Sequence, residues 1–225
     1  VSVARDAEED ERSGVSRAER VYRLLREGIR GGVYRPGQRL RETQLAAELA
    51  TSRTPVREAI RRLEADRLVE NMPGRGYAVT QLDEARIREL YQFRAALEGA
   101  AAELAALQAT ELDLATLAAT LDAMRAAAED APRAAALNRR FHQAIYDAAR
   151  NAFLNQAIGA MSDVMALLPG TTYRQPGRMA QVVLEHEAVL EAIRRRDPAA
   201  ANAAMRAHIQ AAGQFRACMA LTAGA

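Results

Sequence analysis

The 225-residue chain contains only three histidines, His142, His186 and His208, each in a different stretch of helix-forming sequence. Asn138 precedes His142 by four residues, which puts both side chains on one helical face. Three imidazoles and an amide oxygen gathered inside a bundle would offer four neutral donors to zinc or a similar divalent ion, nickel and manganese included. The spacing alone carries no ligand code, since 44 and then 22 residues separate the histidines. A lone helical histidine is more often a core or surface residue.

A second constellation lies at residues 51–60, TSRTPVREAI. Ser52 or Thr54 can accept a hydrogen bond from the first turn of a helix, where Pro55 is tolerated. Val56, Ile60 and Leu63 recur at helical spacing and form an apolar stripe, while Arg53, Arg57 and Arg61 form a separate wet one. A helix N-terminus carrying Ser, Thr and Arg donors suits the phosphates and base edges of a DNA major groove.

The elements that must position these residues follow from periodicity and breakers. Arg17–Arg30 reads as an amphipathic helix closed by Gly31 and Gly32. Gln38–Leu40 is short and extended, and Glu42–Ala50 is a second helix. The tight turn Ala50-Thr51 leads into the arginine-bearing helix, which completes a helix-turn-helix pattern. Val69–Asn71 and Tyr77–Val79 read as a hairpin around Met72–Gly76, a wing whose Arg75 suits a narrow minor groove. Beyond the shift in composition at 80–83, helices are expected at about 84–108, 110–129, 131–149, 152–168, 177–196 and 198–222 from the 3.6-residue pattern.

The fold class is therefore mainly α: an N-terminal winged helix-turn-helix over residues 15–80 and an all-α bundle of about six helices over 81–225. Residues 1–14 are charged and read as a disordered leader. Apolar residues make up 49% and aromatics 4%, which favours closely packed helices rich in small side chains. All 31 basic residues are arginine. Residues 15–82 hold 14 Arg against 8 acids, whereas residues 83–225 hold 15 against 16, so the first unit alone is suited to a polyanion. One cysteine, Cys218, excludes an internal disulfide, and no apolar run is long enough for a bilayer. These features point to a cytoplasmic protein with no membrane partner.

The stretches PGQRLRE, LAAELATSRTPVREAIRRLEADRLVE and GRGYAV in 36–79 resemble the winged helix-turn-helix of GntR-family transcription regulators. The resemblance implies operator contacts by Thr43, Ser52, Arg53, Thr54 and Arg57, with Gly76 at the wing tip beside Arg75. The family commonly has Gly-Val where this chain has Ala50-Thr51, and a positive φ there would strain an alanine. FRAALEGAAAELAA, NRRFHQAIYDAARNAFL, EHEAVLEAIRRRDPAAA and MRAHI are similar to the all-helical FCD effector domain of the FadR-type branch. That likeness implies a divalent cation held by Asn138, His142, His186 and His208, and a pocket arginine at Arg94. With a neutral amide and three neutral imidazoles, such a site would welcome a small carboxylate or sugar acid. Arg94 could clamp that acid, and Tyr173, Arg174 and Arg178, in the segment before the His186 helix, could cover it.

The reading that joins these parts is a metabolite-responsive transcriptional regulator, a homodimer on a palindromic operator, repressing until an organic acid binds. The alternatives are a metal-dependent enzyme on the bundle, or a DNA-binding protein without an effector. H-E-x-x-H, a G-x-S-x-G elbow and a phosphate-binding glycine loop are all absent from the sequence. Glu185 adjoins His186 but is expected on a different helical face, so the enzyme reading lacks a general base.

Overall fold

The computed structural model describes residues 15–168, 170–175 and 177–223, with side chains as far as 219; the 1–14 leader lies outside the described residues. The chain forms two compact units, Val1–Leu82 with Ser162–Pro169, and Asp83–Met161 with Gly170–Ala225.

In the first unit, α1 (Arg17–Arg30) starts where Ser16 Oγ accepts from the Glu19 N–H at 3.1 Å and buries Val21, Leu25 and Ile29. β1 (Arg39–Leu40), α2 (Glu42–Glu48), α3 (Arg53–Ala65), β2 (Val69–Met72) and β3 (Gly76–Val79) follow. The strands form an antiparallel sheet in the order β1-β3-β2, with Arg39 opposite Ala78 and Val69 opposite Val79. Val56, Ile60 and Leu63 of α3 meet Leu25 of α1, Val79 of the sheet and Leu167 of the 162–169 segment in one core. In that segment Asp163 is buried and accepts from Arg26 Nε at 2.9 Å, with Arg30 Nη1 at 3.4 Å from its other oxygen.

The turn between α2 and α3 fixes where the arginine helix begins. Ala50 takes φ 47° and the Thr51 N–H returns to the Ala46 carbonyl at 2.9 Å. α2 ends two residues earlier than the periodicity suggests, at Glu48 and not Ala50, because Leu49 is its cap and Ala50 is already left-handed. Ser52 is the N-cap of α3 with extended backbone, but its side chain makes no cap hydrogen bond, contrary to the sequence expectation. Pro55 removes one of the two N–H groups such a cap can serve, because it is the third helical residue and has none, which leaves only that of Thr54.

The second unit contains six helices among the described residues: α4 (Glu84–Gln108), α5 (Glu111–Ala126), α6 (Ala131–Ala148), α7 (Ala152–Met165, of which residues to Met161 belong here), α8 (Arg178–Arg194) and α9 (Pro198–Ala223). A 3-10 turn, Thr172–Arg174, precedes α8. Asp83 caps α4 through the Arg86 N–H at 2.8 Å, and Thr110 with Asp113 forms a capping box on α5. α4 is the central helix, packing most extensively along α9 and also touching α6 and α8. The close α4–α9 approach needs small residues: a methyl on Gly99 would lie 2.8 Å from Arg206 Cγ, and one on Gly213 3.0 Å from Tyr91 Cβ. Three helices around α4 can therefore aim side chains at a common interior point.

A left-handed alanine costs about 1–2 kcal/mol, partly offset by the extra unfolded-state freedom of glycine. Ala50→Gly should raise stability by about 0.5–1 kcal/mol and Tm by about 1–3 °C in thermal denaturation. A lower Tm would show that the turn is not strained.

Candidate DNA-reading surface and metal centre

On α3 the guanidinium stripe Arg53, Arg57 and Arg61 is exposed, and so are Thr43, Ser52, Thr54, Arg75 and Gly76. The wing tip is closed by the Arg75 N–H on the Met72 carbonyl at 2.8 Å, with Gly74 at φ 70° and Gly76 at φ 81°. Glycine suits both positions. Arg53 and Arg57 share a partner that no pattern in the sequence announces. Glu42, the first residue of α2, accepts from Arg57 Nε at 3.1 Å and Nη2 at 2.9 Å, and from Arg53 Nη2 at 3.2 Å. The Arg57 hydrogen bond, followed by that of Arg53, holds the Glu42 carboxyl below the usual carboxylate range despite some burial.

In the second unit α6 brings His142, α8 brings His186 and α9 brings His208 into one buried cluster whose candidate ligand atoms all lie within 4.8 Å. His208 Nε2 is 3.3 Å from the Nε2 of both His186 and His142. The outward nitrogens decide the tautomers. His142 Nδ1 lies 2.6 Å from Glu98 Oε2 on α4, and His208 Nδ1 lies 2.6 Å from Glu185 Oε2 on α8. A carboxylate can only accept, so each ring donates from Nδ1 and turns a bare Nε2 inward. Two lone pairs then face each other at 3.3 Å with no proton between them, an arrangement that a cation would relieve. His186 is stacked on Phe141, centroids 4.2 Å apart at 8°, and its buried Nδ1 has no partner. Asn138 Oδ1, one turn before His142, is likewise buried and unpartnered.

The two carboxylates are themselves held. Glu98, 0% exposed, takes Arg94 Nε at 2.8 Å and the Tyr146 hydroxyl at 2.6 Å besides His142. Burial alone would favour its neutral form, but the charge of Arg94, with the hydrogen bonds from His142 and Tyr146, outweighs that and keeps it far below the usual carboxylate range. Glu185 takes Arg178 Nη1 at 2.9 Å and Nη2 at 3.3 Å, and the hydrogen bonds of His208 and Arg178 outweigh burial in lowering its pKa.

Several sequence expectations need correction here. Glu185 does not stand apart from the cluster: one position round α8 from His186, it meets α9, the helix that carries His208. Arg94, expected as a pocket arginine, is buried on α4, but its Nε is already engaged by Glu98. Arg178 is the first residue of α8, buried, bonded to Glu185 and 4.5 Å from the centroid of Phe215. Tyr173 is half-buried in the 3-10 turn, where burial raises its pKa, and Arg174 beside it is exposed. Glu98 and Tyr146 were not singled out at all. Their only sequence signal is position: Glu98 follows Arg94 by four residues, as Tyr146 follows His142.

A family model for the FCD domain matches residues 89–211, more than half of the chain, and one for bacterial regulatory proteins of the gntR family matches residues 17–79. The chain belongs to the GntR family. This GntR protein is 31% identical over 190 residues to the HTH-type transcriptional regulator YdhC of Bacillus subtilis, covering 83% of this chain and 85% of that one. It is 31% identical over 211 residues to the galactonate operon transcriptional repressor of Escherichia coli, covering 84% and 92%. Among solved structures, E. coli McbR/YncC superposes with a TM-score of 0.69 at 26% identity, covering 88% of this chain and 95% of that one. The protein is thus a DNA-binding, metabolite-responsive transcriptional regulator and not an enzyme. No helix among the described residues is long and apolar enough to cross a membrane.

Two outcomes follow for stability. Glu98→Ala leaves Arg94 buried without its partner and should cost about 3–5 kcal/mol in chemical denaturation; a loss near zero would show the carboxylate to be dispensable. Burial pushes the His208 pKa down to about 4, and that of His186 well down too, against about 6.5 in the unfolded chain. The unfolded form therefore binds these protons more readily, so the stability from the neutral rings is complete above pH 6.5 and fades as pH falls toward 4. Chelator-treated protein should lose Tm across that window, and a flat profile would contradict the assignment.

Proposed function

We propose that this GntR-family regulator is a cytoplasmic repressor whose second unit holds a divalent ion, zinc first among candidates, and senses a small carboxylate or sugar acid. The observation that carries the reading is the inward-facing Nε2 cluster, in which His208 Nε2 lies 3.3 Å from the Nε2 of both His142 and His186. Tetrahedral zinc with Zn–N bonds of about 2.0–2.1 Å would set its ligand nitrogens about 3.3–3.4 Å apart. The buried, unpartnered Asn138 Oδ1 supports a fourth donor from the same helix as His142. His142, His186, His208 and Asn138 would hold the ion, which when bound supplies a Lewis-acidic attachment point for a carboxylate oxygen. The printed name of the E. coli relative, a galactonate operon repressor, supports a sugar acid as the effector class. Arg94, Tyr173, Arg174 and Arg178 remain effector contacts in this reading. An acid that recruits Arg94 or Arg178 would compete with Glu98 or Glu185.

In the first unit Ser52, Arg53, Thr54 and Arg57 read the major groove, Thr43 meets the backbone and Arg75 with Gly76 forms the wing contact. A homodimer on a palindromic operator fits a feature of α4. Phe93 and Leu107 are 51% and 61% exposed, and half-buried Leu97, Ala100 and Leu104 lie between them at alternating spacings of four and three residues. Such a stripe is self-complementary across a two-fold axis.

A thermal-shift screen of small carboxylates and sugar acids, with and without chelator, tests the sensing claim. The expected hit raises Tm and disappears with chelator, whereas a hit indifferent to chelator would refute the metal's part. Arg57→Ala should weaken operator binding about ten- to hundredfold in gel shifts, with Arg53→Ala also weakening it. Unchanged affinity in both would refute the reader helix.

A further inference from the structure

The ion pair between α2 and α3 distinguishes the two reader arginines, which the sequence treats alike. A guanidinium offers five N–H donors on a planar fork with two usable bidentate edges: Nε with one Nη, and the two Nη groups end-on. Glu42 occupies the first edge of Arg57, since Nε donates to Oε1 at 3.1 Å and Nη2 to Oε2 at 2.9 Å. The end-on edge keeps the parallel pair of donors that matches the O6 and N7 acceptors of guanine. Arg53 gives Glu42 only one bond, Nη2 to Oε2 at 3.2 Å, and its side chain is more exposed, 60% against 49%. Glu42 itself begins α2 and its side chain is only 20% exposed, so its carboxylate is anchored to the helix-turn-helix and not to a mobile tip.

We propose that Glu42 is a specificity-determining positioning residue: it buttresses Arg57 so that the end-on edge of that guanidinium reads one guanine in each operator half-site, and leaves Arg53 to phosphate or adaptable contacts. The inference rests on the reader-helix reading above and adds to it. Two consequences follow from charge and geometry. Fixing Arg57 before binding removes rotamer freedom that would otherwise be lost in the complex, and this favours the one base that matches. The carboxylate also sits on the DNA-facing arginines, where it repels phosphate, and so weakens binding to sequences that offer no guanine in register.

The test is selection from a pool of random duplexes with the full-length protein, its Arg57→Ala variant and its Glu42→Ala variant, followed by affinities for the selected duplex and for one fixed random-sequence duplex. The parent protein is expected to select one dominant guanine per half-site that Arg57→Ala erases. Glu42→Ala should reduce preference at that same position at least severalfold, leave the other positions in place, and bind the random duplex as well as the parent or better. Replacing that guanine by 7-deazaguanine should weaken the parent and leave Glu42→Ala nearly unaffected. If Arg57→Ala keeps the guanine, the reader-helix reading itself fails. If Arg57→Ala erases it but Glu42→Ala keeps it, only the buttress is overturned. Equal loss on both duplexes by Glu42→Ala, with a lower Tm, also overturns it, because Glu42 would then serve the fold alone.

Discussion

Everything in the effector unit depends on one buried anion. Glu98 is 0% exposed on the central helix α4 and answers to Arg94, Tyr146 and His142 together. A carboxylate in that position would be neutral, or expelled, without such partners. With them it becomes a fixed acceptor that dictates which nitrogen of His142 carries the proton. Glu185 repeats the device for His208, with Arg178 in place of Arg94. The inward direction of the His142 and His208 Nε2 atoms is thus a consequence of outward hydrogen bonds, and the bundle invests in two Arg–Glu–His chains to secure it.

The architecture was largely legible in the sequence, because it rests on signals that act locally. Gly31-Gly32, the α3 stripe of Val56, Ile60 and Leu63, and the breakers between the later helices are all short-range patterns. The histidine cluster was legible as a set of residues through resemblance, not through spacing. Its outer layer was not. Glu98 and Tyr146 each sit one turn from a residue that drew attention, yet nothing in a helical pattern says that a glutamate among alanines lies at the bottom of a bundle. Glu185 was misjudged because a helical wheel describes one helix, whereas the relevant neighbour, His208, comes from α9.

The DNA-reading unit shows the same division between local and tertiary signals. Its helix start was placed by Ser52 and Pro55, but Pro55 removes one of the two N–H groups that a Ser52 cap can serve, and the helix begins from the turn at Ala50 instead. The left-handed alanine is a strain that the fold tolerates at this turn. The contact of Glu42 with Arg53 and Arg57 spans two helices, and no single-helix pattern announces it. In both units, then, the candidate site residues can be named from sequence, while the carboxylates bonded to them emerge only when helices are packed.

The central claim is that the three Nε2 atoms are arranged for a divalent ion. Titration of chelator-stripped protein with cobalt(II), followed in the visible region, tests it most directly. The account predicts saturation near one equivalent per chain, with the intense bands of a low-coordinate nitrogen-ligated ion, lost in His142→Ala. Only the faint spectrum of aqueous cobalt, without saturation, would contradict it.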